Sequence, residues 1–207
     1  VADDAARPPW QLAAPGACGL DEVGRGALAG PLVAAGVILP PGFSHPLLRD
    51  SKLLSAKQRE TIEPLIRREA LALQVIAIEV AVINDRGVGW ANRVAFERLI
   101  EEVSAPAYLA DGNLKIRTGR QYHSVVGGDR LVPAISAASI VAKVYRDRLM
   151  RDLHPDFPHY DWQGNKGYGT PRHLGAISRH GICHHHRLSF IHGEQPGLFD
   201  QVAWANG

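Results

Sequence analysis

The sequence predicts an α/β fold, a mixed sheet with helices packed against it. Three observations carry this. The elements run strands first, then alternating helix and strand, then helices. The stretch PLVAAGVIL (31–39) is apolar and nearly continuous, as in a strand buried on both faces. Helix starts carry capping chemistry at Ser55, at Pro133 and at Thr170-Pro171.

Taken in order, residues 20–39 read as two short strands, closed by Pro40-Pro41-Gly42. Ser55 and Gln58 have the capping-box spacing and open a helix through about Glu69. LALQVIAIEV (71–80) reads as a strand. Asn84 or Asp85 is placed to cap a second helix ending near Val103, with Trp90, Val94, Leu99 and Val103 on its apolar face. AYLADG (107–112) and YHSVV (122–126) are short strands. A long helix starts at Pro133, with Ala134, Ala137, Ala138, Val141, Ala142, Tyr145 and Leu149 in one stripe whose small residues allow close approach to a sheet. WQGNKGYG (162–169) reads as a glycine-rich loop, and a helix from Thr170 and Pro171 ends at Gly181. The chain is expected to form one domain over 1–192, followed by a flexible tail over 193–207.

The 207 residues, 45% hydrophobic and 21% charged, suit an ordinary globular domain and exclude a disordered or fibrous chain. No apolar run reaches the roughly 18 residues of a membrane span. VADDAARPPW has acids and prolines where a secretory signal would have basic and then apolar residues. Cys18 and Cys183 make no disulfide framework. A cytoplasmic, monomeric protein is expected. Charge is uneven: residues 1–111 carry a net −3, whereas 112–207 carry +5 and nine of the ten histidines. That asymmetry is what contact with a polyanion would require.

Four acids fall at element ends. Asp21 and Glu22 close the first strand, Asp111 lies between the apolar Tyr108-Leu109-Ala110 and Gly112, and Asp129 follows Gly127-Gly128. A carboxylate at the end of a buried strand is costly unless it is paired or binds a metal. Clustered carboxylates repel one another without cations, and oxygen-only ligands favour Mg²⁺ or Mn²⁺ over zinc. Two such ions are a device for phosphodiester hydrolysis. Consecutive strand side chains point to opposite faces, so Asp21 and Glu22 share a site only where the strand ends or bends; Gly24 and Gly26 allow that. Taken singly, each acid reads better as a turn residue or a helix cap.

DEVGRG (21–26), DSK (50–52), ADG (110–112), GDRLVPAISAASIVAKVYRD (128–147) and NKGYGT (165–170), in this order, resemble bacterial ribonuclease HII, the type 2 ribonuclease H, over about residues 19–190. The resemblance implies a ribonuclease H-like fold with a five-stranded mixed sheet flanked by helices and additional C-terminal helices. It implies an endoribonuclease that hydrolyses RNA in RNA–DNA hybrids and cuts 5′ of single ribonucleotides in duplex DNA, leaving 3′-hydroxyl and 5′-phosphate ends. Roles in ribonucleotide removal and RNA primer removal follow. It implies that Asp21, Glu22, Asp111 and Asp129 hold two divalent cations, Mn²⁺ or Mg²⁺. Gly24, Arg25 and Gly26 match the turn that recognises the ribose 2′-hydroxyl. Tyr168 matches the tyrosine that stacks on the next, deoxy, sugar. Ser139, Lys143, Arg146 and Lys166 are implied on the substrate-binding side. The residues suit these tasks. Glycine backbone approaches a sugar closely, a 2′-hydroxyl distinguishes RNA from DNA, and positions 139, 143 and 146 share a helical face.

Two other functions share part of this evidence: another two-metal nuclease such as a junction resolvase, and a non-catalytic nucleic-acid-binding module. The glycine-arginine-glycine turn argues against the first and four acids beside phosphate against the second. Cys183 and His184–His186 in CHHHRLSF have poor spacing for zinc and read as a basic, solvated or phosphate-facing loop. Gln195, Leu198 and Phe199 resemble the short Q-x-x-L-F peptides by which bacterial replication proteins dock on the sliding clamp.

Overall fold

The computed structural model describes residues 15–48 and 54–194. Five strands, β1 (Cys18–Val23), β2 (Leu32–Ile38), β3 (Ala72–Ile78), β4 (Tyr108–Asp111) and β5 (Tyr122–Val125), make one mixed sheet in the order β3-β2-β1-β4-β5. All seven residues of β2 are buried, as its unbroken apolar run requires. β1 runs parallel to β4 in the register Cys18–Tyr108, Gly19–Leu109, Leu20–Ala110, and β4 runs parallel to β5. Asp21 and Asp111 are therefore the next residues along two neighbouring parallel strands.

The helices are α1 (Ala56–Glu69), α2 (Val80–Arg86), α3 (Val88–Glu102), α4 (Gly128–Leu131), α5 (Pro133–Asp152), α6 (Trp162–Asn165), α7 (Pro171–His180) and α8 (Leu188–Glu194). Both halves of the expected capping box form, between Ser55 and Gln58. Thr170 caps α7 by accepting from the His173 N–H, and Gly181 ends it.

Three expectations change. The single helix capped at Asn84 or Asp85 is two helices, starting at Val80 and Val88, because Gly87 at φ +82° breaks the path between them. The Asn84 side chain instead donates to the His186 carbonyl and accepts from the Leu188 N–H. The first half of WQGNKGYG is α6, closed by Lys166 in a left-handed conformation. The last helix, α8, continues through Glu194. Residues 195–207, with Gln195, Leu198 and Phe199, and the Asp50-Ser51-Lys52 motif lie outside the described residues.

Contacts divide the chain into two compact units. Among the described residues, one comprises those up to Glu22 with those of Ala34–Ile76 and Arg93–Val144; the other comprises Val23–Val33, Ala77–Asn92 and those from Tyr145 to Glu194. In the first unit, α5 crosses directly over β1 at Gly19, where a Cβ would stand 2.2 Å from the Ala134 carbonyl carbon. No side chain larger than glycine's fits there. The second unit has its own core, in which Tyr160, Trp162, Met150, Ile177 and Ile191 pack against Leu28 and Ala29. Among the described residues no helix is long and apolar enough to cross a membrane.

Candidate active site

The close crossing at Gly19 sets the position of the first side chain above the acids. From Ala134 to Ser139 the helix rises about 7.5 Å, and from Gly19 to Asp21 the strand advances about 6.6 Å. Ser139 thus comes level with Asp21, and its side chain hydrogen-bonds the carboxylate. Lys143, half-buried, follows one helical turn later on the same face.

Asp21 is 5% exposed. Burial drives its carboxyl well above the usual range; the Ser139 bond opposes this, while the charges of Glu22 and Asp111 add to it. The Glu22 N–H donates to Asp21 Oδ1 at 2.8 Å. Although β1 continues to Val23, the Glu22 charge acts on Asp21, so the alternation of strand side chains does not separate the two acids electrostatically. The Asp111 carboxylate accepts from the Gly128 N–H at 2.7 Å, which ties the end of β4 to the start of α4. Gly128 is needed for this contact, since a Cβ there would stand 2.6 Å from Ile135 Cδ1. The next residue, Asp129, is fully buried. Glu22 and Asp111 thus both act on Asp21, and Asp129 is one residue from an amide that binds Asp111. The acids are not drawn into a closed cage: among the described residues no group of three or more His, Cys, Asp or Glu is assembled to hold a metal ion.

In the second unit, Gly24-Arg25-Gly26 is a turn with Gly24 buried and Arg25 and Gly26 exposed. Gly24 has φ +86°, and a Cβ on it would lie 2.2 Å from Arg146 Nε. That contact shows where Arg146 is. Its expected place was the helix face toward the nucleic-acid backbone. Instead it is fully buried, donating to the carbonyls of Pro31, Lys166 and Ala29 at 2.8–2.9 Å. The spacing of 139, 143 and 146 is equally that of an inward stripe, and a guanidinium is buried readily where tight glycine loops offer several carbonyls. Arg146 shapes two loops from within; its Cζ lies 5.3 Å from the Tyr168 ring centroid. Tyr168 and Lys166 are half-buried, and the Lys166 ammonium donates to the Gln163 carbonyl. Gly167 is pressed onto the Ala29 carbonyl, its own carbonyl accepting from the N–H groups of Leu28 and Ala29.

CHHHRLSF is not the solvated loop expected. His184 is exposed, but His186 and Arg187 are fully buried. His186 Nδ1 accepts from the Cys183 N–H at 3.0 Å, so the neutral ring carries its proton on Nε2 and can donate to His173 Nε2, 3.2 Å away. His173 Nε2 also accepts from Trp162 Nε1, which leaves Nδ1–H to donate to the Tyr168 carbonyl at 3.0 Å. The chain of bonds demands two uncharged rings. Burial and then the neighbouring His173 hold the His186 imidazolium down to about 3, and burial lowers His173. Neither His173 nor Arg187 was singled out in the sequence. Single inward residues in a polar run leave no periodic trace.

The family model for ribonuclease HII matches residues 18–193. A curated ribonuclease HII from Burkholderia mallei is 47% identical over 193 residues, spanning 91% of this chain and 90% of the relative. Among solved structures, the complex of PCNA with ribonuclease HII from Archaeoglobus fulgidus superposes with a TM-score of 0.72 at 25% identity, covering 84% of this chain and 94% of that one. Bst-RNase HIII in complex with Mn²⁺ shares the fold, with a TM-score of 0.65 at 19% identity over 86% of this chain and 67% of that one. The implied fold, a five-stranded mixed sheet with flanking helices, is the one found. With Asp21 and Asp111 side by side on neighbouring parallel strands and the family's motifs over nearly its whole length, this chain belongs to the ribonuclease HII family and is a ribonuclease H-type endoribonuclease acting on RNA–DNA hybrids.

Proposed function

We propose that this chain cuts on the 5′ side of single ribonucleotides in duplex DNA, as well as within RNA–DNA hybrids, leaving 3′-hydroxyl and 5′-phosphate ends. The observation that carries the reading is the state of Asp21, a buried carboxyl forced upward further by Glu22 and Asp111. Asp21, Glu22, Asp111 and Asp129 offer only carboxylate oxygens, a donor set that suits hard divalent cations, and a cation among them would relieve the repulsion. Two ions, Mn²⁺ or Mg²⁺, would supply activation of the attacking water and stabilisation of the leaving 3′ oxygen. Ser139 orients Asp21. Lys143, one turn along α5, would neutralise a backbone phosphate.

Gly24-Arg25-Gly26 begins two residues after Glu22 in the chain and is read as the test for a 2′-hydroxyl. Tyr168 offers a ring for the neighbouring deoxy sugar, and Lys166 stands two residues before it in the chain. Removing misincorporated ribonucleotides and RNA primers is the role that follows. Both cysteines are free thiols, which suits action in the cytoplasm. Gln195, Leu198 and Phe199 are proposed as a docking peptide for the sliding clamp, and the Archaeoglobus relative was solved bound to PCNA. We take the active form to be a monomer.

A duplex DNA with one ribonucleotide, offered with and without divalent metal, tests the activity. One cut, 5′ of the ribonucleotide and only with metal, is expected. Equal cutting of the all-DNA duplex would overturn the reading.

A further inference from the structure

We propose that Arg187 is a positioning residue for ribose recognition: it holds two carbonyls of the Gly24-Arg25-Gly26 turn inward and thereby aims that turn's amide groups at the sugar. The proposal rests on the reading of this turn as the 2′-hydroxyl test.

Every nitrogen of the buried Arg187 guanidinium bonds the turn or the segment just after it. Nη1 donates to the Gly24 carbonyl at 2.6 Å and to the Arg25 carbonyl at 3.2 Å. Nε and Nη2 both donate to the Gly30 carbonyl, at 3.0 and 2.7 Å. One planar group therefore grips both ends of residues 24–30. The backbone beside it is gripped as well. The Arg187 N–H donates to the Leu28 carbonyl, the Gly30 N–H donates to the His185 carbonyl, and Ala29 bridges His186 in antiparallel fashion. The CHHHR segment is the frame on which the turn is built.

Peptide planarity converts this grip into direction. In a trans peptide the carbonyl and the N–H point to opposite sides, and the described chain has no cis peptide. With the Gly24 and Arg25 carbonyls drawn toward Arg187, the N–H groups of Arg25 and Gly26 face away from it. Both residues are exposed, and Gly26 has open space where a Cβ would stand. A carbonyl bound to a cation also polarises its own peptide, which strengthens the N–H as a donor to a sugar oxygen. Lysine cannot replace this. Its ammonium has three tetrahedral donors in place of a planar fork of five and cannot hold carbonyls at both ends of the turn.

The test compares wild type with Arg187→Lys in EDTA, measuring by fluorescence anisotropy the Kd for a duplex with one ribonucleotide and for the same duplex in all-DNA form. One hydrogen bond to a 2′-hydroxyl gives the wild type a preference of about tenfold. Arg187→Lys is expected to bring that preference within twofold of unity while leaving the all-DNA Kd within twofold of wild type. A retained preference, or equal weakening toward both duplexes, would overturn the proposal. A wild type without any preference would instead overturn the reading of the turn itself, and this inference with it. Should Arg187→Lys fail to fold, hydrogen exchange on the wild type decides. The amides of Arg25 and Gly26 must be protected at least tenfold more by the ribonucleotide duplex than by all-DNA duplex, and equal protection would overturn the proposal.

Discussion

Asp21 and Arg187 are both ionisable side chains taken almost wholly out of water, and the protein treats them in opposite ways. In the first unit Asp21 is desolvated and then pressed further by Glu22 and Asp111, with the Ser139 bond as partial relief. In the second unit the Arg187 guanidinium spreads its charge over three backbone carbonyls, and Arg146 does the same over three others. Burial draws Arg187 down only to about 9, so it stays charged at neutral pH. The contrast separates two uses of a buried charge. The acids form an anionic set suited to binding cations from outside. The arginines form a cationic set whose partners are already built into the loops, so they give shape.

The largest expected effect breaks the acidic side. Asp21→Asn should lower kcat on a ribonucleotide-containing duplex by roughly a thousandfold, through lost cation binding, while duplex binding persists. Because it also removes a strained charge, it should raise the melting temperature in EDTA by about 2–4 °C for each kcal/mol of relieved repulsion. A variant that is both slow and less stable would show that Asp21 is not the strained group described here.

Next in size is the cationic side. Arg146→Met leaves the carbonyls of Ala29, Pro31 and Lys166 without their shared donor and should cost about 3 kcal/mol or more in urea unfolding. It should also weaken cleavage, since two loops lose their common support. Unchanged stability would remove the distinction between charges that bind and charges that shape.

The smallest effect tests the uncharged pair beside the arginines. The His186 pKa falls from its ordinary value to about 3 on folding. Between that value and about 6.5 the unfolded chain takes up a proton that the native ring refuses. The stabilisation is complete above about pH 6.5 and is lost as pH falls toward 3, with a slope of at most about 1.4 kcal/mol per pH unit. His186→Gln should flatten that slope in urea titrations at pH 7, 6 and 5. An identical slope in the variant would count against the neutral-histidine chain.

Much of this was legible beforehand, for local reasons. Ser55, Pro133, Thr170 and Gly181 act on backbone groups within a few residues, and each stands where its chemistry places it. The acids were legible because carboxylates beside glycine at strand ends are unusual without a ligand. Arg146 was misplaced because a stripe at intervals of four and three looks the same whether it faces water or a set of carbonyls. The joint at Gly87 was missed because an apolar run through Ile83 can end a strand or begin a helix. His173 and Arg187 were missed because their side-chain partners lie 11 to 13 and about 160 residues away, respectively.

The sequence by itself determined the five strands, the caps at Ser55 and Thr170, the positions of the candidate acids and the family, since these depend on local propensity, period and short motifs. Only the tertiary structure decided which buried charges are answered from within. A guanidinium or an imidazole is settled by carbonyls brought to it from distant loops, and those contacts exist only once the chain has closed on itself.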